Sequence, residues 1–313
     1  MRKNVILLVI VMLLLAGCEG KFDLSKLKFG SEESSAFEVD YHKGTEGLKM
    51  NFRKNLPPKE IYIDDKFQLG LELRNKGTWP IRNGKLYVSG YTEEMVMDSI
   101  EETFSLAAKD ENNPEGGYEI IDFTGTNYGL PSTKKSLFII NACYGYKTEA
   151  SVTICIDPDV RSKKLVKSAC NVETVSVSGG QGAPVAVTKV EPRVIPSMDK
   201  VYAMKIDIYV KNVGRGVVRN NSNCGGYPVV NIEEVTVSDY STKNRNSIIS
   251  CQTPNDKEEG KILVLEPGKD NKITCTISLN RELGSFVTPL TVTMNYMYAE
   301  VLESSILVKE WES

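Results

Sequence analysis

The sequence predicts an all-β protein, two antiparallel β-sandwiches in tandem behind an N-terminal export segment. Three observations predict it. Apolar and polar residues alternate with period two over stretches that end in turn residues, the pattern of half-buried strands. One strand and its exit turn are written twice: Phe67, Leu69, Leu71 and Leu73 lead into Asn75-Lys76-Gly77, and Met204, Ile206, Ile208 and Val210 lead into Asn212-Val213-Gly214. A second pair follows in the same order. Phe138, Ile140, Ala142, Tyr144 and Tyr146 continue into Val152, Ile154 and Ile156, as Leu290, Val292, Met294, Tyr296 and Tyr298 continue into Ile306 and Val308.

The chain begins with Arg2-Lys3, an apolar run from Val5 to Ala16, and Leu15-Ala16-Gly17-Cys18. Positive charge, a short apolar core and small residues before a break are the anatomy of a signal peptide. The run is too short for a bilayer-crossing helix, which needs about 20 apolar residues. The tetrapeptide resembles the lipobox of prokaryotic lipoproteins. That resemblance implies a lipid on Cys18, removal of the preceding residues, and a place on the outer face of the cell membrane. Residues 19–36 are polar and charged, and read as a flexible tether with a reach of roughly 20–25 Å.

Residues 37–165 read as the first sandwich, 166–183 as a linker and 184–313 as the second. The boundary is set by the Gly-rich Ser176–Pro184 stretch. Each sandwich would hold about seven short strands, without the βαβ rhythm of a parallel sheet. Thr92–Lys109 is ambiguous. Val96, Ile100 and Phe104 are spaced for a short inserted helix, whereas Thr103–Ala107 suits an edge strand; the helix or turn is the expectation.

The runs ending at Gly77 and Gly214, and Leu265-Glu-Pro-Gly268 followed by Ile273–Ile277, resemble CARDB-type immunoglobulin-like domains. Asn113–Gly117, Ala142–Tyr146 and Gly179–Val185 look like stretches of exported archaeal proteins. The resemblance implies immunoglobulin-like sandwiches with an adhesive or scaffolding role. It implies no catalytic residues. The stretch 92–135 then reads as an insertion, and the cysteines as an addition to the family pattern.

Lys and Arg number 38 against 41 Asp and Glu. Loss of Arg2 and Lys3 would leave 36 basic residues and a net charge of −5. The two signs are interspersed, so nucleic acid is excluded as a partner. Besides Cys18 there are six cysteines: Cys143, Cys155, Cys170, Cys224, Cys251 and Cys275. None form C-x-x-C, and His42 is the only histidine, so disulfides are expected and a metal site is not. If 147–151 were a loop, Cys143 would face Cys155 across a hairpin at bonding distance. Cys155 with Cys170 competes, closing a loop around Asp157-Pro158-Asp159. Cys251 with Cys275 would join neighbouring segments, leaving Cys170 and Cys224 for a bond between domains.

Candidate chemistry is sparse, and no pattern calls for a cofactor. The four tyrosines could form a binding stripe, but aromatics at strand period more often pack inward. Adjacent acid pairs such as Asp64-Asp65 and Glu233-Glu234 point to opposite faces and read as solvated turns. Asp157-Pro158-Asp159 has the clustered oxygens a calcium loop needs. His42 reads as exposed and inert. Ser-x-x-Lys at Ser25, Ser132 and Ser197 lacks its companion motifs. Asn220-Asn221-Ser222 is a glycosylation sequon at Asn220. The expectation is a lipid-anchored, non-enzymatic surface module that binds another surface protein or glycan. The alternative is an accessory subunit that positions a separate enzyme, secretion or transport complex.

Overall fold

The computed structural model describes residues 42–129, 133–157, 168–195, 201–220, 223–237, 247–267, 269, 271–280 and 284–309. The signal segment with Cys18, the tether, Ser25, Ser132, Ser197, Pro158-Asp159 and Asn221-Ser222 lie outside them. The described chain is an all-β antiparallel sandwich fold, with no helix.

The first half contributes β1 (Leu48–Phe52), β2 (Glu60–Tyr62), β3 (Lys66–Asn75), β4 (Ile81–Ser89), β5 (Met95–Met97), β6 (Glu101–Leu106), β7 (Tyr118–Asn127) and β8 (Lys134–Ile156). The second contributes β9 (Val175–Ser176), β10 (Val185–Ile195), β11 (Val201–Asn212), β12 (Val217–Arg219), β13 (Val229–Val237), β14 (Ser247–Ile248), β15 (Ser250–Gln252), β16 (Ile262–Val264), β17 (Lys272–Asn280) and β18 (Phe286–Lys309). One sheet runs β1-β3-β7-β5 and a second β15-β17-β11-β10-β9. The third runs β14-β13-β18-β8-β4-β6, with β12 and β2 also on β18 and β16 on β13.

The repeat is visible in these orders. β1, β3 and β7 pair as β10, β11 and β17 do, and β4 lies on β8 as β13 lies on β18. The repeat explains why 92–135 is not an insertion. It carries β7, which pairs with β3 from Lys66↔Thr126 to Arg74↔Tyr118. Nor is Thr92–Lys109 helical. Val96 and Ile100 are exposed while Phe104 and Leu106 are buried, so the fourfold spacing marks no common face and β5 and β6 form instead.

A larger difference concerns the final strands. β8 and β18 pair along their whole length, from Lys134↔Val308 to Ile156↔Phe286. The hairpin expected around 147–151 is absent because Lys147-Thr-Glu-Ala-Ser151 has no Gly, Pro or Asn to turn the chain. Its inward positions Thr148 and Ala150 keep the strand's parity without a break. Each strand therefore runs on into the other half. Val152 and Ile154 pair with Leu290 and Thr288 of the second half, and Val308 pairs with Ile61 of β2 in the first. The two expected sandwiches thus share one sheet and one core, and Asp40–Ser313 forms a single compact unit.

The stretch expected as a linker is bonded into the body where it is described. Val175–Ser176 pairs with β10. Gly44 N donates to Gly179 O at 2.7 Å, and Thr78 N donates to Gly182 O at 2.9 Å. Gln181 is buried and exchanges two hydrogen bonds with the Val187 backbone, at 2.9 and 3.1 Å.

Candidate functional site: the tyrosine seam and the Glu300 cleft

The seam between β8 and β18 is symmetric about the Gly145↔Met297 pair, with Tyr144↔Tyr298 and Tyr146↔Tyr296 on either side. All four tyrosines point inward and are buried. Their rings meet with centroids 5.8–6.4 Å apart, in the range aromatic pairs favour. They are a core, as strand-period aromatics usually are.

Each outer tyrosine hydroxyl is held by one of the two Asn-x-Gly turns. Tyr146 Oη donates to Asn75 Oδ1, and Tyr298 Oη to Asn212 Oδ1, both at 3.0 Å. Asn75 Nδ2 donates to Trp79 O at 2.7 Å and Asn212 Nδ2 to Gly216 O at 2.8 Å. Gly77 N and Gly214 N each donate back to the asparagine, at 3.1 and 3.2 Å. The glycines are demanded by space. A β-carbon at Gly77 would sit 2.0 Å from Tyr146 Oη, and one at Gly214 2.5 Å from Tyr298 Oη. The turn and the tyrosine pair that recur in the sequence are therefore one structural device, made twice.

The inner tyrosines break the symmetry. Thr148 follows Tyr144 by four residues, and Glu300 follows Tyr296 by four. Thr148 is buried; its hydroxyl lies 2.7 Å from Val185 O and 2.9 Å from Tyr296 Oη. Across the seam Tyr144 Oη accepts from Leu48 N at 3.1 Å and donates to Glu300 Oε1 at 2.8 Å. Glu300 is half-buried and lines a cleft of about 650 Å³.

The cleft is walled by residues 43–46, 48–51, 76 and 109 of the first half, 184 and 213–216 of the second, and 300–302 of β18. Burial pushes the Glu300 carboxyl up to about 7; Glu46 adds to the push, while the Tyr144 hydrogen bond and Arg215 oppose it. Lys43, Lys49, Lys76, Lys109 and Arg215 line the cleft, Lys76 being paired with Glu115 at 2.8 Å, against Glu46 and Glu300. On a chain of net negative charge this is a locally positive cleft, and low-dielectric walls focus such a field. The arrangement can hold a polar ligand with acidic groups. Glu300 stands out only once the register of β18 is known: it is the one charged residue in the inward series Tyr296, Tyr298, Glu300, Leu302.

The six cysteines pair as Cys143–Cys224, Cys155–Cys170 and Cys251–Cys275. Cys143 cannot meet Cys155, because both lie on one continuous strand twelve positions apart. Its partner is Cys224, in the segment after β12, so the bond between halves starts from Cys143 rather than Cys170. Cys251 and Cys275 are directly paired across β15 and β17. Three such bonds place the fold in an oxidising compartment.

The remaining candidates stay apart. His42 and Asn220 are exposed. Asp157 is buried and accepts from Ser168 Oγ at 2.7 Å. The acid pairs carry ordinary surface contacts, such as Lys147–Glu233 at 2.9 Å and Lys85–Glu101 at 2.7 Å. Among the described residues no cluster of His, Cys, Asp or Glu is placed to hold a metal, and no helix is long and apolar enough to cross a membrane.

No protein-family model matches the chain, and no curated protein matches it. Among solved structures, the CupB6 tip adhesin from Pseudomonas aeruginosa is 7% identical, covering 86% of this chain and 97% of that one at a TM-score of 0.15. The infectious bursal disease virus VP2 subviral particle is 12% identical, covering 80% and 74% at a TM-score of 0.09. Overlaps this loose carry no argument.

Proposed function

We propose that the protein is a non-catalytic surface module, anchored through a lipid on Cys18 to the outer face of the cell membrane, that binds another surface component. The observation that carries this reading is the Glu300 cleft. Its walls come from both halves, and those halves are joined by the β8–β18 seam and the Cys143–Cys224 bond. A hinge would let such a cleft open and close; a shared sheet holds it at fixed width, which suits stable binding better than turnover. The disulfides and the CARDB-like strand motifs support an adhesive or scaffolding role.

The test is made in the native membrane. Intact mass should show the signal removed and a lipid on Cys18. A photoreactive side chain placed at Lys49 on the cleft wall should crosslink to a discrete envelope component, and one placed at Glu258 on the opposite half should not. Release of unlipidated protein, or substrate turnover by the isolated ectodomain, would sink the reading.

A further inference from the structure

The outer face of the seam carries a second hollow, of about 510 Å³, distinct from the Glu300 cleft. Its floor is the Gly145↔Met297 pair at the centre of the symmetric seam. Its walls are Trp79 and Arg82 from the first half and Asn220, Asn231 and Asn295 from the second half. No carboxylate lines it.

The floor is informative. Unlike Gly77, Gly145 is not required by its surroundings: a β-carbon there would meet only Met297 Sδ, at an ordinary 3.6 Å, and its φ is not in the left-handed region. A glycine in mid-strand weakens the strand and often marks close approach of a ligand. Here it leaves the floor bare.

The walls are prepared for a polar, ring-shaped guest. Trp79 is 39% exposed, its backbone N–H bonded to Tyr146 Oη at 3.4 Å. Lys147 Nζ lies over one face of the ring, 4.7 Å from its centroid, and is itself tied to Glu233 at 2.9 Å, so a guest would stack on the other face. Asn295 and Asn231 are direct neighbours across β18 and β13. Asn295 Nδ2 donates to Glu233 at 3.1 Å, which leaves its carbonyl oxygen to accept. An indole presents a flat apolar surface, while planar amides and a guanidinium offer the donors and acceptors that sugar hydroxyls need.

We propose that this hollow binds a neutral saccharide unit, stacked on Trp79 over Gly145 and held through its hydroxyls by Asn231, Asn295 and Arg82. The assignment rests on the surface-module reading only for where the protein meets sugar; it stands or falls on sugar binding alone.

The chain has two tryptophans, Trp79 and Trp311, so a Trp311→Phe variant of the full mature chain makes emission a report on Trp79. It would be titrated with chito-, manno- and malto-oligosaccharides, with oligogalacturonate as the acidic comparison. At least one neutral probe should shift the emission saturably. Gly145→Leu, which fills the floor, and Asn231→Ala should each weaken that binding at least about tenfold without lowering the melting temperature. Emission unmoved by every neutral probe to about 20 mM, a response to oligogalacturonate alone, or full affinity in Gly145→Leu overturns the proposal. So does a glycan on Asn220 of the native protein that abolishes the response.

Discussion

Tyr144 donates to Glu300 at 2.8 Å across the seam, and Tyr296 meets Thr148 at 2.9 Å in the matching place. The duplication thus holds two versions of one contact. The threonine version is closed against the Val185 carbonyl; the glutamate version faces a cleft with five cations around it.

Glu300 should make stability fall as pH rises. Its folded carboxyl, at about 7, lies above the ordinary 4.5, so the folded chain holds this proton more tightly than the unfolded one. The stabilisation is complete below about pH 4.5, declines as the pH climbs and is gone above 7. After discounting for the side open to the cleft it amounts to about 2 kcal/mol. Urea midpoints measured between pH 4.5 and 8 should show this decline in the natural chain and lose it in Glu300→Gln. Parallel pH profiles for the two would dispose of the assignment.

The glycines of the two turns make a matched pair. Gly77→Ala drives a methyl into Tyr146 Oη and also towards Gly182 O, whereas Gly214→Ala meets Tyr298 Oη and the Pro184 ring. Overpacking of this kind costs about 1–3 kcal/mol. Gly77→Ala should be the worse of the two, because its collisions are closer and two of them, with Gly182 O at 2.4 Å and Glu46 O at 2.7 Å, are with backbone that cannot rotate away. Chemical denaturation ranks them, and an unaltered midpoint for Gly77→Ala would refute the collision.

Those turns were legible in the sequence because Asn-x-Gly closes a period-two strand at both places, a coincidence that chance alternation does not produce. The tyrosine pairs were legible as inward-facing for the same reason. The continuous β8 and β18 were not. Lys147-Thr-Glu-Ala-Ser151 carries charge where a loop is expected, and only the parity of Thr148 and Ala150 betrays a strand that runs on. From that one misreading followed the wrong partner for Cys143 and two separate domains instead of a shared sheet. Glu300 was hidden differently. A single glutamate among many gives no signal until the inward series of its strand is known, and that series depends on the same register.

The four seam tyrosines should ionise only on unfolding. Burial raises all four hydroxyls well above the ordinary value of 10, with Glu300 adding to the rise at Tyr144, Tyr146 and Tyr298. A titration followed at the phenolate absorbance should leave four of the fourteen tyrosines silent until the fold is lost. The four should then appear in a single step coincident with loss of the β circular dichroism signal. Gradual ionisation of all fourteen in the folded protein would contradict the burial.

Disulfide loss should rank by loop size. Cys143–Cys224, Cys251–Cys275 and Cys155–Cys170 span 81, 24 and 15 positions. Chain-entropy arithmetic gives about 4.5, 3.4 and 3 kcal/mol respectively. Paired serine substitutions measured by denaturation should follow that order, with Cys143→Ser/Cys224→Ser lowest. Non-reducing peptide mapping must first recover these three links, and a Cys143–Cys155 peptide would contradict the continuous strand.

Asp207 carries the last test, since it is the one charged residue among the buried polar side chains of β11. Burial alone would raise its carboxyl, but Thr274 at 2.7 Å, Lys272 at 3.3 Å and the Arg193 guanidinium outweigh it and hold the group below its ordinary value. A depressed carboxyl contributes stability that is present above its unfolded value near 3.8 and is lost as pH falls through the folded one. Asp207→Asn keeps the shape and the Thr274 contact but leaves two cations facing a neutral amide. Breaking a buried charge cluster costs about 3 kcal/mol when the partners are enclosed. Because Arg193 and Lys272 can swing into solvent, the loss should be nearer about 2 kcal/mol. It should shrink towards zero in acid, where the natural carboxyl is protonated too. A deficit that persists undiminished at pH 2 would mean that shape, and not charge, is what Asp207 supplies.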